Sequence, residues 1–214
     1  MSVQGKDKVG KTHLTLTAPK PLAFFNLDFG TEGVIHKFAG EDIWQVDLPC
    51  NIEVADADAA KDTYMEILQK FQKAYKYSLQ HAKTIVEDTS TEVWELLRLA
   101  YFGKLTQIMP HHYTQINSIF RQHVKDAYDA GINLIMIHKL KDEWVNNSST
   151  GKQIRDGFKG IHYLAQCMVE CWKTLEPLSF GCTIMECRQN PEITGATLEG
   201  DFYDFDALLA EVFG

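Results

Sequence analysis

The chain has 214 residues, 45% hydrophobic and 23% charged, with a formal net charge of −8. That length and balance fit one globular α/β domain over residues 1–214 and exclude a disordered or fibrous chain. The acidic total argues against broad electrostatic attraction to nucleic acid, and the lack of an apolar leader or of ~18 consecutive apolar residues predicts a cytoplasmic protein with no membrane partner.

The first element is also the most specific. Gly5 to Thr12 reads G-K-D-K-V-G-K-T, a complete G-x-x-x-x-G-K-[ST] phosphate-binding loop. Backbone N–H groups of Gly5, Lys6, Asp7, Lys8, Val9 and Gly10 would curl around phosphate oxygens. Lys11 would reach the β- and γ-phosphates, and Thr12 would offer its hydroxyl to Mg²⁺. Only Met1 to Gln4 precede the loop as its feeding strand, so that strand is either clipped or begins upstream. A short helix from Lys11 to about Thr17 stops before Pro19 and Pro21.

Leu22 to Leu27 is a compact apolar run that reads as a buried strand delivering Asp28. A carboxylate there, Glu32 by preference or Asp28, could orient and deprotonate an attacking water. The plainer reading is a glycine-rich turn with solvated acids. Ile43 to Val46 reads as a short strand and Ala57 to Gln80 as an amphipathic helix. Thr84 to Val86 is a second buried strand closing on Glu87-Asp88, the form of a Walker B strand. Asp88 is the choice for holding Mg²⁺ and Glu87 the runner-up. Thr89-Ser90-Thr91-Glu92 is a capping box, so Asp88 would also begin the helix Thr91 to Tyr101.

Thr114 to Ala130 reads as a helix ended by Gly131, and Ile132 to Ile137 as a third buried strand. His138 at its end could sense a γ-phosphate, although a lone His there is more often structural. Lys141 to Gly160 reads as a polar, mobile loop. Lys139, Lys141, Lys152, Arg155 and Lys159 make this region the candidate for contacting a DNA backbone, with Asp142 and Glu143 diluting the strip. His162 to Trp172 reads as helix, Gly181 to Cys187 as strand and Phe205 to Phe213 as helix. The five cysteines are expected to be reduced. Four of them could supply thiolates to zinc, but without knuckle spacing they read better as buried small hydrophobes. Strands alternating with helices predict a mainly parallel sheet flanked by helices, with ligands at the strand C-terminal ends.

The order G-K-D-K-V-G-K-T, N-L-D-F-G-T-E-G-V, T-I-V-E-D-T and L-I-M-I-H-K-L-K resembles the RecA-like P-loop ATPases of bacteriophages. The resemblance covers Gly5 to about Gly200. It implies a RecA-like core, Mg²⁺-dependent ATP hydrolysis, homo-oligomers and single-stranded DNA as partner. It further implies a role in recombination, annealing or replication in the host cytoplasm, with a single-strand-binding protein as a further partner. Lys11 and Thr12 match the family's phosphate and metal ligands, Asp88 its Walker B acid, and His138 to Lys141 its sensor segment. Gly181 to Gly200 looks like its closing hairpin, with Arg188 as a candidate arginine finger. Two other functions share the phosphate loop: a nucleoside or nucleotide kinase, and a non-hydrolysing nucleotide-regulated accessory protein.

Overall fold

A computed structural model describes residues 1–28, 33–48, 50, 57–104 and 109–214. The elements run β1 (Ser2–Gly5), α1 (Lys11–Leu16), β2 (Leu22–Asn26), β3 (Ile43–Asp47), α2 (Ala57–His81), β4 (Thr84–Asp88) and α3 (Ser90–Phe102). They continue with α4 (Pro110–Asp129), β5 (Asn133–Ile137), β6 (Leu140–Val145), β7 (Ser148–Arg155), α5 (Ile161–Leu164) and β8 (Cys167–Leu175). The last are β9 (Leu178–Cys187), β10 (Thr197–Glu199) and α6 (Phe205–Phe213). Eight strands form one sheet in the order β10-β9-β8-β1-β5-β4-β2-β3. The six strands from β8 to β3 pair in parallel, and β9 and β10 add antiparallel at one edge.

Side-chain alternation along the central strands divides the molecule into two cores. Ala23, Phe25, Ile85, Leu134 and Met136 point toward α2, α3 and α4, where Phe71, Tyr75, Leu96 and Phe120 pack. Leu22, Phe24, Val86, Ile135 and Ile137 point the other way, onto Leu14 and Leu16 of α1 and Phe205 and Leu208 of α6. β2 is buried along its whole length, which is why it reads as an unbroken apolar run. Each fully buried Leu or Phe contributes roughly 1.5–3 kcal/mol of transfer free energy. Thr89 caps α3 by accepting from the Glu92 N–H at 3.3 Å.

β1 has four residues, yet it pairs with both β5 and β8 and is central to the sheet. A second neighbouring strand supplies what its length does not. Two segments differ from expectation. Residues 141–160 are mostly not a loop: β6 and β7 form a separate two-stranded ribbon. Asn146 and Asn147 both take positive φ (50° and 62°) between the paired residues Val145 and Ser148, making a tight two-residue hairpin turn. The ribbon is exposed along most of both strands, so it lacks the buried-and-exposed alternation that marks a half-buried strand.

Residues 162–172 are likewise mostly not helical. After the one-turn α5 the chain becomes β8, with Cys167, Val169 and Cys171 buried in alternation. Residues four apart share a side of a strand as well as of a helix, and so the Cys167/Cys171 spacing misleads. All five cysteines are free and buried. Cys167 faces Cys187, and Cys171 faces Cys182, across β8 and β9.

Candidate functional site

β1 ends at Gly5, and the chain curls through residues 6–10 into α1. Gly5 cannot be replaced without cost: its φ is +145°, and a Cβ would lie 2.4 Å from the Cys171 carbonyl oxygen on β8. Gly10, at φ +91°, is similarly hemmed in by Phe180 and Tyr203, both 3.2 Å from the space a Cβ would take. The loop is shaped by the sheet beneath it and by a wall from the C-terminal half.

Within the loop, the Lys11 ammonium donates to the carbonyls of Gly5 (2.8 Å) and Lys6 (2.7 Å). Burial lowers its pKa, opposed chiefly by the charge of Asp7, then by Cys171, Asp88 and Asp28. Thr12 Oγ1 donates to Asp88 Oδ2 at 2.8 Å, joining the start of α1 to the end of β4. Burial raises the pKa of Asp88. The Thr12 hydrogen bond and Lys11 pull it back down. Two adjacent hard oxygen donors beside a lysine suit a Mg²⁺ ion that shares its remaining positions with phosphate and water.

The strand period sends the two neighbouring acids to opposite sides of the sheet. Asp88 emerges on the α1 side with Val86, whereas Glu87 turns with Ile85 into the helical core. There Glu87 is fully buried, accepts from Ser90, and pairs with His123 on α4. The Tyr75 hydroxyl donates to the His123 carbonyl at 2.8 Å. This is a structural cluster on the far side of the sheet from the loop.

Asp28, just beyond β2, lies in the same cleft as Lys11, Thr12 and Asp88. It is ion-paired to Lys139 at 2.9 Å, and Lys139 also reaches Glu92 at 2.6 Å. Burial works against the Lys139 charge, but its bonds to Glu92 and Asp28 outweigh burial and raise its pKa. Glu32 lies outside the described residues. His138 is buried, and neither ring nitrogen has a well-formed partner among the described residues. Burial first, then the charge of Arg155, push its pKa down to about 3, so it is neutral. It does not line the cleft, whereas the next residue, Lys139, does.

The cleft has a volume of about 720 Å³. Its lining also includes Val34, Leu178, Phe180 and Tyr203, an apolar and aromatic surface next to the phosphate loop, together with His13 and Lys37. A second cavity of about 930 Å³ adjoins it, sharing Asp7, Asp28 and Lys139 and bounded by the ribbon through Leu140, Asp142, Gly151 and Gln153. Sequence reasoning named Lys139 as a DNA-contact candidate and as part of the sensor segment but did not place it in the cleft, and it missed the wall from β9. No local motif announces either, because both depend on which strands the topology sets side by side. Among the other basic candidates, Lys141 pairs with Asp156, and burial lowers the pKa of Arg155. Lys152 and Lys159 are exposed. Arg188 donates to the Tyr163 carbonyl at 2.8 Å and is not part of the cleft lining. Among the described residues, no three His, Cys, Asp or Glu side chains are grouped to hold a metal ion by themselves.

A phosphate loop at the end of a central parallel strand, with a carboxylate from a nearby strand against its threonine, defines the P-loop nucleotide-binding class. Residues 1–171 match the family described as AAA domain, and the chain belongs to that family. It is also similar to the crystal structure of a KaiC-like protein from the hyperthermophilic archaeon Pyrococcus horikoshii OT3. The identity there is 14% and the TM-score 0.49, over 92% of this chain and 82% of the other. The comparison with functionally curated proteins gives no match. No helix among the described residues is long and apolar enough to cross a membrane.

Proposed function

We propose that this protein binds ATP with Mg²⁺ and hydrolyses it, and that the hydrolysis serves work on single-stranded DNA. The observation that carries the nucleotide reading is the 2.8 Å bond from Thr12 to Asp88 in the cleft that also holds Lys11. In this reading the backbone from Gly5 to Gly10 cradles the phosphates, and Lys11 exchanges its two loop carbonyls for phosphate oxygens. Thr12 and Asp88 hold the ion, whose charge offsets that of the β- and γ-phosphates. The aromatic wall of Phe180 and Tyr203 shields the nucleoside from water. Asp28 is the described carboxylate best placed to orient an attacking water.

Support for DNA comes from the ribbon, where Trp144 is 64% exposed and Lys152 is solvent-facing. An exposed aromatic ring on a ribbon that also carries an exposed lysine supplies the two elements of single-strand binding, stacking and phosphate attraction. The homo-oligomer, the recombination or annealing setting, the phage host cytoplasm and the single-strand-binding protein partner rest on the resemblance of the motif order alone.

The test is an ATPase assay with and without single-stranded DNA. Turnover is expected to require Mg²⁺ and to rise with DNA. Lys11→Ala is expected to abolish turnover while the circular dichroism spectrum stays the same. Hydrolysis unaffected by Lys11→Ala overturns the active-site assignment. The second cavity favours one other reading, a phosphotransferase with its acceptor seated beside the γ-phosphate. A screen of nucleoside and nucleotide acceptors showing phosphate transfer would replace the hydrolase reading.

A further inference from the structure

We propose that Asn26 is a positioning residue for the Mg²⁺ site, its side-chain oxygen accepting a hydrogen bond from a water molecule that the ion carries. This rests on the nucleotide reading of the cleft and adds to Thr12 and Asp88 a residue that does not touch the ion.

Asn26 is the last residue of β2 and lies in register between Asp88 of β4 and Asp47 of β3. Strand alternation places it with Leu22 and Phe24 on the α1 side of the sheet, the side on which Asp88 emerges. The backbone is held from both neighbours. Leu27 N–H donates to the Asp88 carbonyl at 2.8 Å, and Leu48 N–H donates to the Asn26 carbonyl at 3.0 Å. The Asn26 Nδ2 donates to Asp47 Oδ1 at 2.7 Å. That bond fixes which way the amide lies, because the reverse would set its oxygen against a carboxylate oxygen. Gln45 Nε2 donates to the same Asp47 oxygen at 2.7 Å and holds the carboxylate in place.

The other arm of the amide is the telling one. Asn26 is 5% exposed, and its Oδ1 is buried with no hydrogen-bond partner among the described residues. Buried polar atoms without partners are rare and costly. With the nitrogen arm turned to β3, the oxygen arm of the same planar group is turned toward β4, where Asp88 stands in register. Mg²⁺ sheds water reluctantly, and a site made of one hydroxyl, one carboxylate and phosphate leaves it several waters. Groups that accept from such waters orient them and tune the affinity of the ion. Asn26 supplies an acceptor without charge. An aspartate in its place would set a third carboxylate between Asp88 and Asp47, and like charges would repel before any ion arrived.

The experiment titrates Mg²⁺ into the full chain with a non-hydrolysable ATP analogue and measures analogue affinity by calorimetry, with the ion and in EDTA. Asn26→Leu is close in volume and lacks the amide. It is expected to raise the Mg²⁺ midpoint by about tenfold, the lower end of the range for losing an outer-shell partner of a metal. Analogue affinity in EDTA is expected to stay within about twofold, since Asn26 acts on the nucleotide only through the ion. A merely structural role would weaken both. The exchange Asn26→Asp with Asp47→Asn keeps the link between the strands and an acceptor oxygen beside Asp88. It is expected to return the Mg²⁺ midpoint to the native value or below. An unmoved midpoint in Asn26→Leu, an equal loss with and without Mg²⁺, or an exchange variant as weak as Asn26→Leu overturns the proposal. If Asn26→Leu does not fold, Asp47→Ala serves instead. The amide then loses its anchor, so the midpoint is expected to rise while affinity in EDTA holds, and a level midpoint overturns the proposal. If Mg²⁺ leaves analogue affinity of the native protein unchanged, the metal reading of Thr12 and Asp88 itself fails, and this inference with it. If the native protein and Asn26→Leu respond to Mg²⁺ alike, only the role of Asn26 fails.

Discussion

Glu87 and Asp88 are consecutive carboxylates at the end of one strand, yet they lie on opposite sides of the sheet and in different chemical settings. Asp88 meets a threonine hydroxyl and lies near two lysines at the edge of a cleft. Glu87 is enclosed by Ser90, His123 and the aromatic rings of α2. One is placed to meet a ligand. The other ties three helices to the sheet through a buried polar cluster, where partnering decides whether its charge can be tolerated. The difference is a single step of the strand period, so a one-residue slip of β4 would exchange the two roles.

The strongest way to break the contrast is on the helical side. His123→Leu leaves Glu87 buried with its counter-group removed, which costs about 3–5 kcal/mol. Urea unfolding followed by circular dichroism should show that loss, while nucleotide affinity of the folded protein stays within about twofold. The paired change Glu87→Leu with His123→Leu should recover most of the stability, because no orphaned charge remains.

On the cleft side the sign is reversed. Asp88→Asn should reduce Mg²⁺-dependent nucleotide affinity by about 100-fold, in line with losing an ionised oxygen ligand. Stability at neutral pH should not fall and is expected to rise. The folded-state pKa of Asp88 is raised above 3.8, chiefly by burial. The native state therefore holds the proton more tightly than the unfolded chain, and stability is lost as pH rises through the window above 3.8. Asparagine has no such window. A lower Tm for Asp88→Asn at pH 7 would show that the Thr12 hydrogen bond outweighs the burial penalty.

Much of this division can be read directly from the sequence. The phosphate loop, the buried run Leu22 to Leu27 and the strand ending at Asp88 all carry strong local patterns, and all lie where those patterns predict. The side taken by Glu87 follows from the same alternation once β4 is assigned. The illegible parts have physical reasons. β8 hides because Cys167 and Cys171 satisfy two periods at once. The ribbon hides because a strand exposed on both faces shows no hydrophobic alternation, although Asn146-Asn147 marks its turn. Lys139 reaches the cleft because β5 flanks β1, and Phe180 because β9 pairs with β8 on the other side of β1, long-range pairings that no window of sequence contains.

His138 offers a third comparison, between a buried neutral ring and the half-buried ion pair one residue later. Its folded pKa is about 3 against an ordinary 6.5, so between those values the unfolded chain binds the extra proton. Its contribution is present above pH 6.5 and is lost as pH falls. Integrated from pH 7 to 5, one such group accounts for about 2 kcal/mol. Unfolding free energies of the native protein and His138→Gln should therefore converge in acid by about that amount. Parallel pH profiles would mean that the ring is reached by water.

The smallest effect belongs to the ribbon, which is a separate sheet from the main one. If Lys152 meets a DNA phosphate, Lys152→Ala should weaken single-stranded DNA binding only a few-fold at moderate salt. It should also flatten the plot of log K against log salt by about 0.7, the contribution of one phosphate contact on a single strand. Trp144→Ala should weaken binding without changing that slope, since stacking releases no counterion. Measured together by anisotropy across a salt series, the two variants separate charge from stacking. A slope unmoved by Lys152→Ala would place the DNA path elsewhere, with exposed Lys159 the next residue to change.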